Sequence, residues 1–295
     1  TEKKNNAGAK PYDVVMMFKI MILQHLHNLS DAQTQYQLVD RFSFRRFIGI
    51  GTEDTVPDEK TIWLFRETLT QKETVEKLFD LFDRFLNEAG YSAKKGMIID
   101  ASFVEVPRQR NTKEENQLIK QGQTPAKWEK KEAKLRQKDL DARWTKKNNE
   151  THFGYKNHIN VDVKHKLIRK FETTPANVHD SQKVKSLIDK DNSRQAIWAD
   201  SAYRSDKISK WLKKKEIKNH IHRKGYRNRP LTDFQQALNR KKSSIRARVE
   251  HAFGRIDCFI GRWIRSVGQL RANTKIGLIN LVYNMTRFTY LVKHA

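Results

Sequence analysis

Apolar residues in the first ninety positions recur at helical spacing. Val14, Val15, Phe18, Ile22 and Leu26 follow Pro11, a residue suited to a first helical turn, and predict an opening helix on that stripe. Ser30 and Asp31 supply a cap for a second helix through Tyr36, Leu38 and Val39, and Gly49 and Gly51 break the pattern. Pro57 opens a further helix with Asp58 and Glu59 in its first turn, followed by Ile62, Trp63, Phe65 and Leu69. Val75, Leu78, Phe79, Phe82 and Leu86 mark another, closed by Gly90. An all-α domain over residues 1–92 is the expectation, as a helix-turn-helix or as a plain helical packing unit.

The period changes at residue 96. Met97, Ile98 and Ile99 form a short apolar run ending in Asp100, and alternation continues to Val106, as in a strand. Residues 107–150 are polar and Lys-rich and read as a partly ordered basic insertion. Strands are predicted over 158–163 and 167–173, with Lys164 and His165 at the turn, then at 196–199 and 217–222. Helices are predicted over 180–188, 206–215, from Pro230 to about 260, and over 275–292. A mixed five-stranded sheet flanked by helices over residues 93–295, preceded by the all-α domain, makes the fold class α/β. Trp63 and Trp198 are expected in the core, Trp128 and Trp144 as anchors of the insertion, and Cys258 as a small buried apolar residue.

The chain of 295 residues carries 59 Lys+Arg against 34 Asp+Glu, a formal charge of +25. Residues 201–271 alone hold 20 basic and 5 acidic side chains. Such an imbalance makes a polyanion the leading partner, because lysine and arginine neutralise phosphates and release condensed counterions. A single cysteine rules out an internal disulfide framework and a Cys-rich zinc site, and implies a reducing compartment. No apolar run is long enough to span a bilayer, and no amphipathic helix suits a membrane surface. The chain begins at Thr1 without a methionine, so preceding sequence is expected; no signal-peptide pattern is visible.

Three acids draw attention against this basic background. Asp100 and Asp200 each end an apolar strand, and Glu250 lies in a long basic helix. A carboxylate at the end of a buried strand is held rigidly beside a crevice, and hard divalent ions take such oxygen ligands. Singly, each acid also serves as a cap or ion-pair partner: Asp200 for the turn at Ser201-Ala202-Tyr203, Glu250 for Arg246 four residues earlier. His179 and His251 lie near these acids and read as ordinary hydrogen-bonded histidines.

The segments Ile98-Ile99-Asp100-Ala101-Ser102, Phe153-Gly154-Tyr155-Lys156-Asn157-His158, Thr174-Pro175-Ala176-Asn177-Val178-His179-Asp180, Ala199-Asp200-Ser201-Ala202-Tyr203 and Arg246-Ala247-Arg248-Val249-Glu250-His251-Ala252-Phe253 occur in an order that carries a resemblance. From about residue 11 to 292 the chain resembles bacterial insertion-sequence DDE transposases with an RNase H-like catalytic domain, in the group whose prototype is insertion sequence five. The resemblance implies that Asp100, Asp200 and Glu250 are the catalytic, metal-binding triad. It also implies Mg²⁺ as cofactor, with Mn²⁺ able to substitute, and that residues 57–66, with Lys60 and Arg66, belong to a DNA-binding helical region. Relatives often place Tyr, Arg and Lys seven before, four before and seven after the glutamate. Here Arg246 fits, while Ser243 and Asp257 depart from the pattern.

The implied activity is cleavage at the ends of an insertion sequence and strand transfer into target DNA, with double-stranded DNA as partner and a homodimer bound to it. The expected location is the bacterial cytoplasm, at the nucleoid. Lys156, Arg246, Arg248 and Arg255 join Lys60 and Arg66 as expected DNA contacts. The alternative is a domesticated, non-catalytic DNA-binding protein that retains the fold. A third class, a nuclease or RNA-processing protein on the same core, would cleave without needing specific ends. A tyrosine recombinase acting through Tyr155 or Tyr203 would leave the three acids unexplained.

Overall fold

The computed structural model describes residues 10–147, 149–261 and 263–295, and the chain divides into two compact units between Lys72 and Glu73. The first contains α1 (Val14–Leu26), α2 (Asp31–Asp40), α3 (Phe42–Ile48) and α4 (Glu59–Gln71). Asp13 caps α1 by accepting the Met16 N–H at 2.8 Å, so Pro11 stands outside the helix. The buried side of α1 is Met16, Met17, Ile20 and Met21; Val14 and Val15 are exposed. Its sequence is apolar almost all round, so periodicity alone did not choose the face. Ser30 and Gln33 close a capping box at the head of α2. Asp58, not Pro57, caps α4, and Ile62 takes the buried place while Trp63 is 49% exposed, outside the core where it was expected. Arg45 is buried and donates to the carbonyls of Gly51, Thr52 and Asp54, which satisfies the loop that follows the left-handed Gly49.

The second unit takes in α5 (Thr74–Glu88), so the division falls at residue 72 rather than 92. The physical reason is packing. Phe79 meets Phe171 edge to face at 5.0 Å, and a Cβ added to Gly277 would come within 2.6 Å of Val75. There follow β1 (Met97–Glu105), α6 (Lys113–Lys120), α7 (Ala126–Glu129), α8 (Glu132–Arg136), β2 (Arg143–Lys147), β3 (Glu150–Asp162) and β4 (Ile168–Pro175). The chain then runs through α9 (Val184–Leu187), β5 (Ala196–Trp198), α10 (Asp206–Lys214), β6 (Lys218–Asn219), α11 (Asp233–Arg246), α12 (Glu250–Ile260) and α13 (Gln269–Lys293).

The sheet has six strands rather than five, in the order β2-β3-β1-β5-β6, with β4 also on β3. The added strand, β2, closes the segment 107–150. That segment is folded: Thr112 and Glu115 form a capping box, and the same Glu115 accepts the indole N–H of the fully buried Trp128 at 2.6 Å. Trp144 is 40% exposed. β1 pairs antiparallel with β3 over nine residues and parallel with β5, and β5 pairs parallel with β6, so the sheet is mixed. One face of the sheet packs Met97, Ile99 and Ile197 against Val184 and Leu187 of α9 and Ile208 and Leu212 of α10. On α13, Asn280 exchanges amide hydrogen bonds with Asn157 of β3, and Asn284 bonds both the N–H and the carbonyl of Ile168. α13 is buried almost all round from Ile276 to Asn284, so its sequence has little amphipathic contrast there.

Gly154, at the bend of β3, has φ 147, and a Cβ there would run into the backbone of Val104 and Val106. Gly154→Ala is therefore expected to lower stability by about 1–3 kcal/mol, read as a lower urea midpoint with an unchanged slope.

Candidate active site

Side chains along β1 alternate in direction. Met97 and Ile99 enter the apolar cluster beneath the sheet, which sends Ile98 and Asp100 to the opposite face. Ile98 lies beside Trp198 in the parallel pairing with β5. Two residues further along each chain that register sets Asp100 level with Asp200. There β5 has ended and its backbone turns into a 3-10 helix over Ser201–Tyr203. Asp200 caps that turn, accepting the Ala202 N–H at 2.8 Å. The expected capping role is thus real, and it orients the carboxylate rather than competing with a site.

Glu250 arrives from a different direction. The predicted single helix to residue 260 is two helices, separated by a 3-10 turn over Ala247–Val249. Arg246 is the last residue of α11 and Glu250 the first of α12. The expected pair forms, with Arg246 Nη1 3.6 Å from Glu250 Oε1, but the shorter contact is Arg246 Nη1 to Asp100 Oδ2 at 2.6 Å.

Burial pushes the Asp100 carboxyl up to about 6 from 3.8. The Ala101 N–H and the Arg246 guanidinium oppose that rise, while Asp200 and Glu250 each add to it. The three acids therefore share one electrostatic neighbourhood, with one arginine among them. Tyr203 is fully buried beside the site, and among the described residues its hydroxyl has no hydrogen-bond partner. Its pKa is raised by burial and then by Asp100, Asp180 and Asp200. His222 was not foreseen. Its pKa is lowered by burial and by Arg246 and Lys242 against the pull of Asp200, and its Nε2 lies 3.4 Å from Ser243 Oγ.

In kind, the donors fit a divalent ion: three carboxylates at a place where negative charge is costly, with a guanidinium standing in as the cation on Asp100 Oδ2. Among the described residues, no three His, Cys, Asp or Glu side chains form a ready-made metal cage.

The expected DNA contacts divide. Lys156 is buried, and its ammonium donates to Val178 O at 2.8 Å and Asp180 Oδ1 at 2.7 Å; it is a structural cation, not a surface contact. Arg66 is likewise engaged, in a fork with Asp31 at 2.6 and 2.7 Å and with Gln24 at 3.0 Å. Arg248 donates to Val163 O at 2.8 Å. Lys60 and Arg255 are exposed. Cys258 is exposed rather than buried, because it falls on the outer side of α12. His179 caps a short turn through Ser181, and His251 is exposed.

The raised Asp100 pKa has a consequence for the metal-free protein. Between pH 3.8 and about 6 the folded chain keeps a proton that the unfolded chain has lost, so this group makes stability fall as pH rises through that window. The fall is expected to be at most about 3 kcal/mol and to be absent from Asp100→Asn, as measured by denaturant unfolding of both proteins between pH 4 and 7.

A family model described as "Transposase DDE domain" matches residues 91–285, and one described as "Transposase domain (DUF772)" matches residues 1–68. Among solved structures the chain is similar to "Cryo-EM structure of piggyBac transposase synaptic complex with hairpin DNA (SNHP)", at 11% identity and TM-score 0.48 over 98% of this chain and 70% of that one. It is also similar to "Crystal structure of the Mos1 Strand Transfer Complex", at 11% identity and TM-score 0.22 over 97% and 81%. Likenesses this remote say nothing about chemistry. The first family model spans most of the chain and contains Asp100, Asp200 and Glu250: the protein belongs to the DDE-domain transposase family.

Proposed function

We propose that this transposase cuts DNA at the ends of an insertion sequence and joins them to target DNA, in one metal-dependent site formed by Asp100, Asp200 and Glu250. The observation that carries the reading is convergence. Asp200 and Glu250, far from Asp100 in the chain, both act on its carboxyl at the end of a buried parallel strand pair, in a protein of net charge +25. The family generally uses divalent ions, and Mg²⁺, with Mn²⁺ as a substitute, suits a set of carboxylate oxygens. The chemistry such an ion supplies is activation of the attacking oxygen and neutralisation of charge on the leaving one.

The chain's own residues do the positioning. Asp100, on a central strand, and Asp200, locked by its cap, are the rigid pair, and the more exposed Glu250 completes the set. Arg246 balances Asp100 beforehand; once released, its planar fork suits a phosphodiester. Hydrolysis and strand transfer are the same in-line displacement with different nucleophiles, so one site serves both. No covalent tyrosyl link is required. Tyr155 and Tyr203 are fully buried, and Tyr155 donates its hydroxyl to Asp139 at 2.8 Å.

Wild type is expected to cleave and join DNA carrying the sequences that flank its gene, in Mg²⁺. Asp100→Asn, Asp200→Asn and Glu250→Gln should each lose about a thousandfold or more in rate, the several kcal/mol such charge stabilisation contributes, while retaining DNA binding. Specific binding without cleavage by wild type would favour a non-catalytic DNA-binding protein instead. Two ends call for two protomers, so sedimentation of the active complex is expected to give a dimer on DNA.

A further inference from the structure

An open cleft of about 320 Å³ lies between α12, α13 and the turn that follows β3. Lys166, Arg255 and Arg287 line it together with His251, Thr286 and Tyr290, and no carboxylate is among the lining residues. We propose that this cleft is a phosphate site that seats the backbone of duplex DNA. The assignment rests on the DNA-processing reading above and adds Lys166, Thr286 and Arg287 to the residues that reading uses.

Each cation is positioned by a backbone turn, a carbonyl or an aromatic ring rather than by an acid. Lys166 sits in the left-handed region at φ 60, a conformation a lysine rarely adopts. Its carbonyl accepts the Tyr283 hydroxyl at 2.6 Å and its N–H donates to Asp162 O at 3.1 Å, which together fix where the side chain leaves the turn. Arg287 donates Nε to His165 O at 2.8 Å and its guanidinium lies over Tyr290 at 4.9 Å, and among the described residues no acid is paired with it. Arg255 lies over Phe259 at 5.0 Å.

Charge supports the geometry. Burial chiefly, and then the neighbouring Arg287 and Arg248, lower the Lys166 ammonium's pKa. Elsewhere the protein supplies acidic counter-charges, as for Lys156 and Arg169. An anion with several acceptor oxygens would relieve the repulsion, and the Thr286 and Tyr290 hydroxyls add neutral donors. Helical geometry places the cleft next to the chemistry without merging the two. At about 100° per residue, Glu250 and Asp257 share one face of α12, while His251 and Arg255 lie roughly a third of a turn round. A strand seated here would thus pass beside the helix that carries Glu250.

The test is the salt dependence of duplex binding, read by fluorescence anisotropy. The proteins are wild type, Lys166→Gln/Arg255→Gln, the charge-retaining Lys166→Arg/Arg255→Lys, and a control that removes two exposed charges from α10, Lys213→Gln/Lys214→Gln. The first double variant is expected to lose affinity equally on unrelated duplexes and to reduce the slope of log K against log[salt] by about two, one for each phosphate contact. The charge-retaining pair should keep the slope, and so should the control. Thermal unfolding should show the first double variant at least as stable as wild type, since like charges have been removed. A folded double variant with wild-type slope overturns the site and leaves the transposase reading standing. Loss of calorimetric pyrophosphate binding with an unchanged DNA slope also overturns it, in favour of a small free phosphate. A wild type that binds no DNA overturns both.

Discussion

The short parallel pairing of β1 with β5 is the constraint on which the site depends. Only Met97 with Ile197 and Ile98 with Trp198 are in register, yet that register, carried two residues further, sets Asp100 level with Asp200. β1 is held in place by nine antiparallel pairs with β3. β3 in turn is held by the Gly154 bend, which allows close approach to Val104, and by the Asn157–Asn280 amide pair to α13. Carboxylates on a rigid central strand lose little entropy when they hold a ligand, and they cannot swing away to solvent. Burial on that strand, with Asp200 and Glu250 adding to it, raises the cost of ionising Asp100.

Arginine and lysine do two jobs in this protein, and the net charge of +25 does not separate them. Arg169 is almost wholly buried and joins Asp83 at 2.8 Å and Asp162 at 3.4 Å. Arg66 with Asp31 and Lys156 with Asp180 are similar internal ties. Such pairs return little net stability after desolvation, but each leaves an expensive orphan if one partner is lost, so they favour a single arrangement. Subtracting them leaves exposed cations on many elements, among them Lys60 on α4, Lys213 and Lys214 on α10 and Arg255 on α12.

Much of the architecture was legible because it is written in local signals. Ser30, Asp58 and the glycines at 49 and 90 mark helix ends through their own hydrogen bonds or dihedral angles, and the apolar run before Asp100 reads as a strand. The misreadings share a cause. The exposed Val14 and Val15, the exposed Trp63 and the buried Lys156 all concern which way a side chain faces, and facing is settled by neighbours distant in sequence. Segment 107–150 looked partly ordered because its order comes from Trp128 finding Glu115 and from β2 finding β3, not from periodicity.

By itself, then, the sequence determined several helix ends, the apolar strand before Asp100 and the excess of positive charge, since each is a property of a residue and its immediate neighbours. Tertiary structure decided that Asp200 and Glu250 act electrostatically on Asp100, that Arg246 bridges Asp100 and Glu250 across a break between two helices, and which cations are tied up in internal ion pairs. Those outcomes depend on register and burial. A two-residue parallel pairing, or a lysine folded inward onto Asp180, costs or gains energy only once distant segments are packed.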